Sequence, residues 1–264
     1  MIDEVEGKIL CGDSSELLKN IGDEEIDLIV TSPPYDDLRK YGGIPTVFDF
    51  DKFKQIADEL ARVLKTGGVI VWVVGDRVVK GSKTGSSFRH ALYFMDIGLN
   101  LNDTMIWLKS NPIPVVRQPR YSPCYEFMHI LSKGKPKTFN PIMRRTKCGG
   151  QAYHSTGKRM GGENGRRELN YTVNSETVDY NVWKMAIAQN KTGHPAVFPF
   201  ELAEKHILSW SNPGDIVLDP FVGSGTVPMA CIKHDRRYIG MDISEEYCKM
   251  AEQRIENTTK CHTL

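Results

Sequence analysis

Two apolar runs, far apart in the chain, each stop at a short string that no central strand can continue through. Ile26-Asp27-Leu28-Ile29-Val30 meets Thr31-Ser32-Pro33-Pro34-Tyr35, and Ile216-Val217-Leu218 meets Asp219-Pro220-Phe221-Val222-Gly223-Ser224-Gly225-Thr226. Consecutive prolines remove ladder donors and end a strand. Runs this apolar belong to strands buried on both faces, as in parallel sheets covered by helices. Polar and glycine-rich residues just past such strands lie where open α/β sheets hold their ligands. The chain is thereby constrained to alternating strands and helices, with chemistry at the strand ends.

The rest of the pattern fits that frame. Lys8–Cys11 reads as a short strand, and Ser14 or Ser15 caps a helix through Asn20. Phe53, Ile56, Leu60 and Leu64 recur at helical spacing within a helix Asp51–Leu64, which Lys65 and Gly67-Gly68 close. Val69–Val74 is a buried parallel strand, and Phe88–Ile97 a helix ended by Gly98. Asp103–Leu108 and Glu126–Leu131 read as strands forming an antiparallel edge. Later come a helix Pro199–Trp210, a strand Asp215–Leu218, a helix Thr226–His234, a strand Arg237–Met241 and a helix Glu245–Asn257. The fold class is a three-layer, Rossmann-like α/β domain with a mostly parallel sheet. Residues 36–50 hold Gly42-Gly43 and Pro45 and read as a loop.

With 264 residues, 40% of them hydrophobic, the chain can bury one sizeable core. No apolar run approaches the ~18 residues of a membrane span. The acidic start Met1-Ile2-Asp3-Glu4 is unlike a signal peptide, so a cytoplasmic location is expected. Six scattered cysteines without a CxxC fit reduced structural thiols, and no metal site is expected. Net charge is only +1, yet the stretch from Lys133 to Asn170 carries ten Lys or Arg against Glu163 and Glu168, a local net of +8. Residues 133–190 are too long and polar for an ordinary loop and read as an inserted region between catalytic segments 1–132 and 191–264. Its basic residues are either a solvated surface or a phosphate-contacting one.

The string Asp219–Thr226 is neither a dinucleotide fingerprint nor a phosphate-binding P-loop, since no Lys follows Gly225. Together with Thr31–Tyr35, and in this order, it resembles the beta class of amino-methylating DNA methyltransferases. The resemblance covers most of residues 8–255. It implies a seven-stranded sheet whose last two strands are antiparallel, and S-adenosylmethionine as methyl donor. Asp219, Pro220, Phe221, Gly223, Ser224, Gly225 and Thr226 would form the donor loop, with Thr31 beside it. Asp242 would bind ribose hydroxyls, its plain alternative being a helix cap. His194, Pro195 and Phe198 would wrap the methionine end; otherwise they are a turn leading to Pro199 at the first helical position. Asp13 would lie near the adenine amino group; otherwise Gly12-Asp13 is only a turn.

The second string suits an exocyclic amine. Its nitrogen lone pair is delocalised, so the site must accept hydrogen bonds from the NH₂ and hold a base outside the duplex. Ser32 offers a hydroxyl, Pro33 a carbonyl that Pro34 holds in an extended geometry, and Tyr35 a ring face for stacking. Ser32 in the first position resembles the N4-cytosine enzymes; Asp there is more typical of N6-adenine enzymes, which is the alternative. Pro123-Cys124 lacks the surroundings of a C5-cytosine nucleophile. Lys109 and Asn111 would meet DNA at another strand end, and Arg144, Arg145, Lys147, Lys158, Arg159, Arg166 and Arg167 would contact phosphates of double-stranded DNA. The resemblance also allows a homodimer and a functional pairing with a restriction endonuclease. Competing classes are an RNA or protein methyltransferase on the same fold and a non-catalytic DNA-binding module.

Overall fold

Eight strands form the central sheet of the computed structural model, which describes residues 2–34, 48–114, 119–158, 166–187 and 199–262. They are β1 (Lys8–Cys11), β2 (Ile26–Thr31), β3 (Leu64–Val74), β4 (Asn100–Lys109), β5 (Tyr125–Ser132), β6 (Val182–Met185), β7 (Ile216–Asp219) and β8 (Arg237–Asp242). Their order across the sheet is β1-β8-β7-β2-β3-β5-β4-β6. Every neighbouring pair is parallel except β3–β5 and β5–β4. One reversed strand, β5, therefore lies between two that run with the majority. The expected antiparallel edge formed by the stretches 103–108 and 126–131 is corrected: β4 is an inner strand, and β6 is the edge.

The helices are α1 (Ser14–Leu17), α2 (Phe50–Val63), α3 (Ser86–Asp96), α4 (Phe200–Trp210), α5 (Thr226–Lys233) and α6 (Glu245–His262). Asp49 caps α2, its carboxylate accepting from the Lys52 amide at 2.8 Å. Phe53, Ile56, Ala57, Leu60 and Val63 form the buried stripe of α2, as a 3.6-residue period requires. Phe53 meets Trp72 of β3 and Phe94 of α3, which places α2 and α3 on one face. His129 of β5 meets the Ser87 carbonyl of α3 at 3.1 Å, so its neighbour Met128, which His206 of α4 reaches, lies on the opposite face. Leu28, Ile29 and Val30, and Ile70 to Val73, are buried on both sides.

Three elements differ from the sequence reading for physical reasons. β3 begins at Leu64, so Lys65–Gly68 is a strand irregularity, not a helix end: the ladder pairs Ile26 with Leu64 but Leu28 with Val69. Gly67 has φ +84°, and a Cβ there would lie 2.9 Å from that of Lys137. Gly67 serves a close approach of residues 133–137, whose Lys133 carbonyl accepts from its amide at 2.7 Å, while a Cβ on Gly68 would meet the Asp27 and Lys65 carbonyls at 2.9 Å. β6 was not foreseen, so the sheet has eight strands where seven were implied. Only Trp183 and Met185 of its four residues are buried, a signal too short to stand out in polar sequence.

The chain divides into two compact units, Met1–Asn140 with Asn181–Leu264, and Pro141–Tyr180. The second unit is narrower than the insert 133–190 read from composition, because residues 133–140 and β6 belong with the first. It contains two antiparallel ribbons, Met143–Arg145 with Glu176–Val178, and Ala152–Lys158 with Arg166–Thr172.

Candidate active site

From β7 the chain passes through α5 to β8 on one side; from β2 it passes through α2 to β3 on the other. Between β2 and β7, paired through Leu28–Val217 and Ile29–Leu218, the winding reverses. Ligands of open α/β sheets bind outside the carboxyl ends at such a switch point. Both strings highlighted in the sequence end there. The Thr31 hydroxyl donates to Asp219 Oδ1 at 2.6 Å, joining them directly.

Asp219 is 1% exposed and accepts a second bond from the Phe221 amide at 3.1 Å. Burial pushes its carboxyl up to about 7, against the pull of these two donors, and the nearby Asp242 adds to the rise. At the end of β8, Asp242 Oδ2 accepts from the Gly223 amide at 3.0 Å and Oδ1 from the Ser244 amide at 2.9 Å. Burial raises its proton affinity too. Asp242 thus closes the turn before α6, whereas Ser244 caps that helix, its Oγ accepting from the Tyr247 amide at 3.4 Å; each Asp242 oxygen retains lone-pair capacity for a hydroxyl donor. Among the described residues neither carboxyl pairs with a cationic side chain.

The turn between them is locked from several directions. Ser14 Oγ donates to the Pro220 carbonyl at 2.5 Å, and Arg254 of α6 bonds the Ser224 carbonyl and, at 2.7 Å, its Oγ. Gly225 caps α5 in the left-handed region at φ +81°, and a Cβ there would come within 3.1 Å of Ala251. A glycine takes that φ at no steric cost and leaves room for that approach. Gly223, Ser224 and Thr226 are buried, and half-buried Phe221 stands edge-on to Phe48 and Trp72. At the end of β1, Asp13 caps α1 through the Ser15 amide and meets Lys52 Nζ at 2.5 Å. Burial raises its carboxyl, but the bonds from Lys52 and Ser15 outweigh it and leave it below the usual range.

On the other side of the switch point, Pro33 is buried and Ser32 and Pro34 are half-buried. Asp76, past β3, accepts from the Ser87 amide at 2.9 Å and so holds the start of α3. Lys109 is paired with Glu126 at 2.5 Å, so its charge is already answered within the protein. Asn111 is exposed, and its Oδ1 accepts from the Ile187 amide at 2.7 Å. In the second unit, the Arg144 guanidinium lies 4.0 Å from the Tyr180 ring centroid, while Arg145 and Lys147 are exposed. Tyr35, His194, Pro195, Phe198 and Arg159, and the side chains of Lys158, Arg166 and Arg167, lie outside the described residues.

Sequence reasoning missed Lys52, Ser14, Arg254 and Glu126. Each reaches a site residue from a distant part of the chain or a neighbouring strand, and none sits in a recognisable string. Only the position of Lys52, in the first turn of a helix that follows an aspartate cap, hinted that it lies at the sheet's carboxyl edge.

A profile of the N6/N4 DNA methylases matches residues 26–253. The chain belongs to that family. The methylase is 48% identical to the orphan methyltransferase M.BamHII of Bacillus amyloliquefaciens, over 92% of this chain and 94% of that protein. It is 31% identical to the type II methyltransferase M.HpaI of Haemophilus parainfluenzae, over 95% of this chain and 74% of that one. Among solved structures, a complex of M1.HpyAVI with S-adenosylmethionine superposes with a TM-score of 0.63 at 25% identity, over 94% of the methylase and 98% of that chain.

Proposed function

We propose that this methylase transfers a methyl group to the exocyclic N4 of a cytosine flipped out of double-stranded DNA. The observation that carries the reading is the Thr31–Asp219 bond, which fixes the Ser32-Pro33-Pro34 end beside the Asp219–Thr226 turn. The cofactor is S-adenosylmethionine, which supplies an electrophilic methyl on a sulfonium centre. The residues fit it: buried Asp219 and half-buried Asp242, neither paired with a cationic side chain among the described residues, suit a ligand that brings positive charge and ribose hydroxyls. Asp13, held ionised by Lys52, suits an amino donor. Thr31 serves the donor side indirectly, because its hydroxyl is committed to Asp219.

The chain's own part in the reaction is orientation and electrostatics. Ser32 Oγ and the Pro33 carbonyl accept the hydrogens of the target amine, which localises the nitrogen lone pair toward the methyl. The Tyr35 ring stacks on the extruded base. No covalent nucleophile takes part. Ser32, where an aspartate is more typical of N6-adenine enzymes, supports cytosine. The exposed Arg145 and Lys147, with Lys158, Arg159, Arg166 and Arg167, meet phosphates. The orphan name of the nearer relative, M.BamHII, supports action without a cognate endonuclease. Host extract that cuts unmethylated but not methylated DNA at the same sequence refutes that last point.

The deciding experiment incubates the purified protein with mixed-sequence duplex DNA and methyl-labelled S-adenosylmethionine, then identifies the labelled nucleoside. N4-methylcytosine is expected. N6-methyladenine rejects the target and keeps the centre; no labelled nucleoside rejects DNA as substrate.

A further inference from the structure

The ribbon of Ala152–Lys158 and Arg166–Thr172 joins no other sheet among the described residues. A two-stranded ribbon has the size that the major groove, about 12 Å wide, admits. Its register sorts residues onto two faces. Tyr153 lies opposite Tyr171 on one; His154 lies opposite Asn170, and Ala152 opposite Thr172, on the other. The two tyrosine rings lean on each other at 5.2 Å, forming an apolar patch. The second face has a different chemistry: His154 Nδ1 and Asn170 Oδ1 are 2.5 Å apart, on residues exposed to solvent. At the far end of the same ladder Arg166 stands opposite Lys158, so the ribbon is basic where it leaves the described residues.

We propose that the His154–Asn170 pair reads the adenine of an A·T base pair in the major groove, and so sets part of the sequence that the enzyme recognises. The inference rests on the DNA reading above. With Asn170 Oδ1 as acceptor, His154 Nδ1 carries the hydrogen, and the bond holds the amide in one orientation before DNA arrives. That removes part of the ordering cost of contact. The amide keeps its Nδ2 hydrogens to donate and a second lone pair on Oδ1 to accept. Adenine presents the complement, an acceptor at N7 and a donor at N6, for which an asparagine amide is the bidentate match. Guanine keeps N7 but sets the acceptor O6 against Oδ1. The tyrosine face offers no such pair of groups.

The test starts from the wild-type protein acting on a random-sequence duplex library, with methylated sites read by sequencing. Wild type yields a motif containing at least one A·T pair away from the modified base. Asn170→Ala and His154→Ala then lose preference at one A·T position by about 10- to 100-fold while other positions stand. The paired control, Tyr153→Phe with Tyr171→Phe, leaves the motif unchanged. A variant too weak to sequence is scored by binding: equal affinity for recognised and scrambled duplexes supports the assignment, and retained discrimination refutes it. Replacing the adenine at that position with 7-deazaadenine weakens wild type and leaves Asn170→Ala unaffected. An unaltered motif in both alanine variants overturns the proposal, whereas a wild type that methylates no DNA overturns the reading beneath it.

Discussion

Thr31 and Asp219 carry more of the centre than their size suggests. Each ends a central strand, and their 2.6 Å bond is the cross-link between the Ser32-Pro33-Pro34 end and the Asp219–Thr226 turn. Thr31→Val keeps the shape and removes the donor. The buried carboxyl then retains only the Phe221 amide of its two bonds. The expected cost is about 1–3 kcal/mol, the penalty for leaving a buried polar group under-satisfied. Urea titration measures it, and an unchanged midpoint shows that the bond has no such weight. Donor affinity should fall in the same variant, because Asp219 and the turn behind it lose their anchor; isothermal titration with S-adenosylmethionine reads this. At this scale the strings themselves were legible, since Thr31–Pro34 and Asp219–Thr226 are contiguous and chemically distinctive. Their partners were not. Lys52 on Asp13, Arg254 on Ser224 and Glu126 against Lys109 are set by the packing of separate elements, and no local pattern encodes them.

Elements with long periodic signals were legible, as were the short apolar strands β1 and β7, whereas β6 was not. The stripe of α2 and the run Val69–Val74 follow from periodicity and continuous apolarity. The strand β6 rests on two buried side chains, and the extension of β3 to Leu64 depends on Gly67 packed against residues 133–137 and Gly68 against the Asp27 and Lys65 carbonyls. Sequence alone reads Gly67-Gly68 as a helix terminator, because the tertiary contact that uses them is invisible to it. The position of α2 has a functional consequence. Capped by Asp49, it delivers Lys52 to Asp13, whose neighbour Ser14 holds the Pro220 carbonyl. Lys52→Met should leave the fold intact and weaken donor binding about two- to fivefold, as befits a partly exposed ion pair worth a few tenths to 1 kcal/mol. Unchanged affinity by titration removes Asp13 from the donor site. In the second unit, Arg145 and Lys147 are exposed, whereas Arg144 is engaged with Tyr180. Replacing Arg145 and Lys147 together with alanine should make the slope of log affinity against log salt shallower by about 1.8, the release of two counterions. The same slope in wild type and variant places the DNA elsewhere.

The whole molecule stores two opposed proton equilibria, and their balance sets how it responds to acid. Asp219 titrates near 7 because burial outweighs its hydrogen bonds, whereas an aspartate in the unfolded chain titrates at about 3.9. Between those values the native state binds a proton that the unfolded state lacks. The stability from this group therefore falls as pH rises through the window, by about 1.4 kcal/mol per unit. His206 does the reverse. Fully buried, tilted against the Trp183 ring and in contact with Met128 Sδ at 3.3 Å, it stays neutral down to about 3. An unfolded histidine gains its proton below about 6.5, so stability is lost as pH falls from there. Burial lowers His129 as well, in the same sense. From about pH 6.5 down to 4 the gain at Asp219 offsets the loss at His206, leaving a shallow profile from the pair. Asp219→Asn removes only the first contribution. Relative to wild type, that variant should lose about 1.4 kcal/mol more for each pH unit between 6 and 4.5, as unfolding free energies from urea titrations at several pH values will measure. Parallel profiles mean that Asp219 is already ionised in the free protein. A buried anion at the switch point then has an unrecognised cationic partner, and the argument that the donor's positive charge completes this site fails with it.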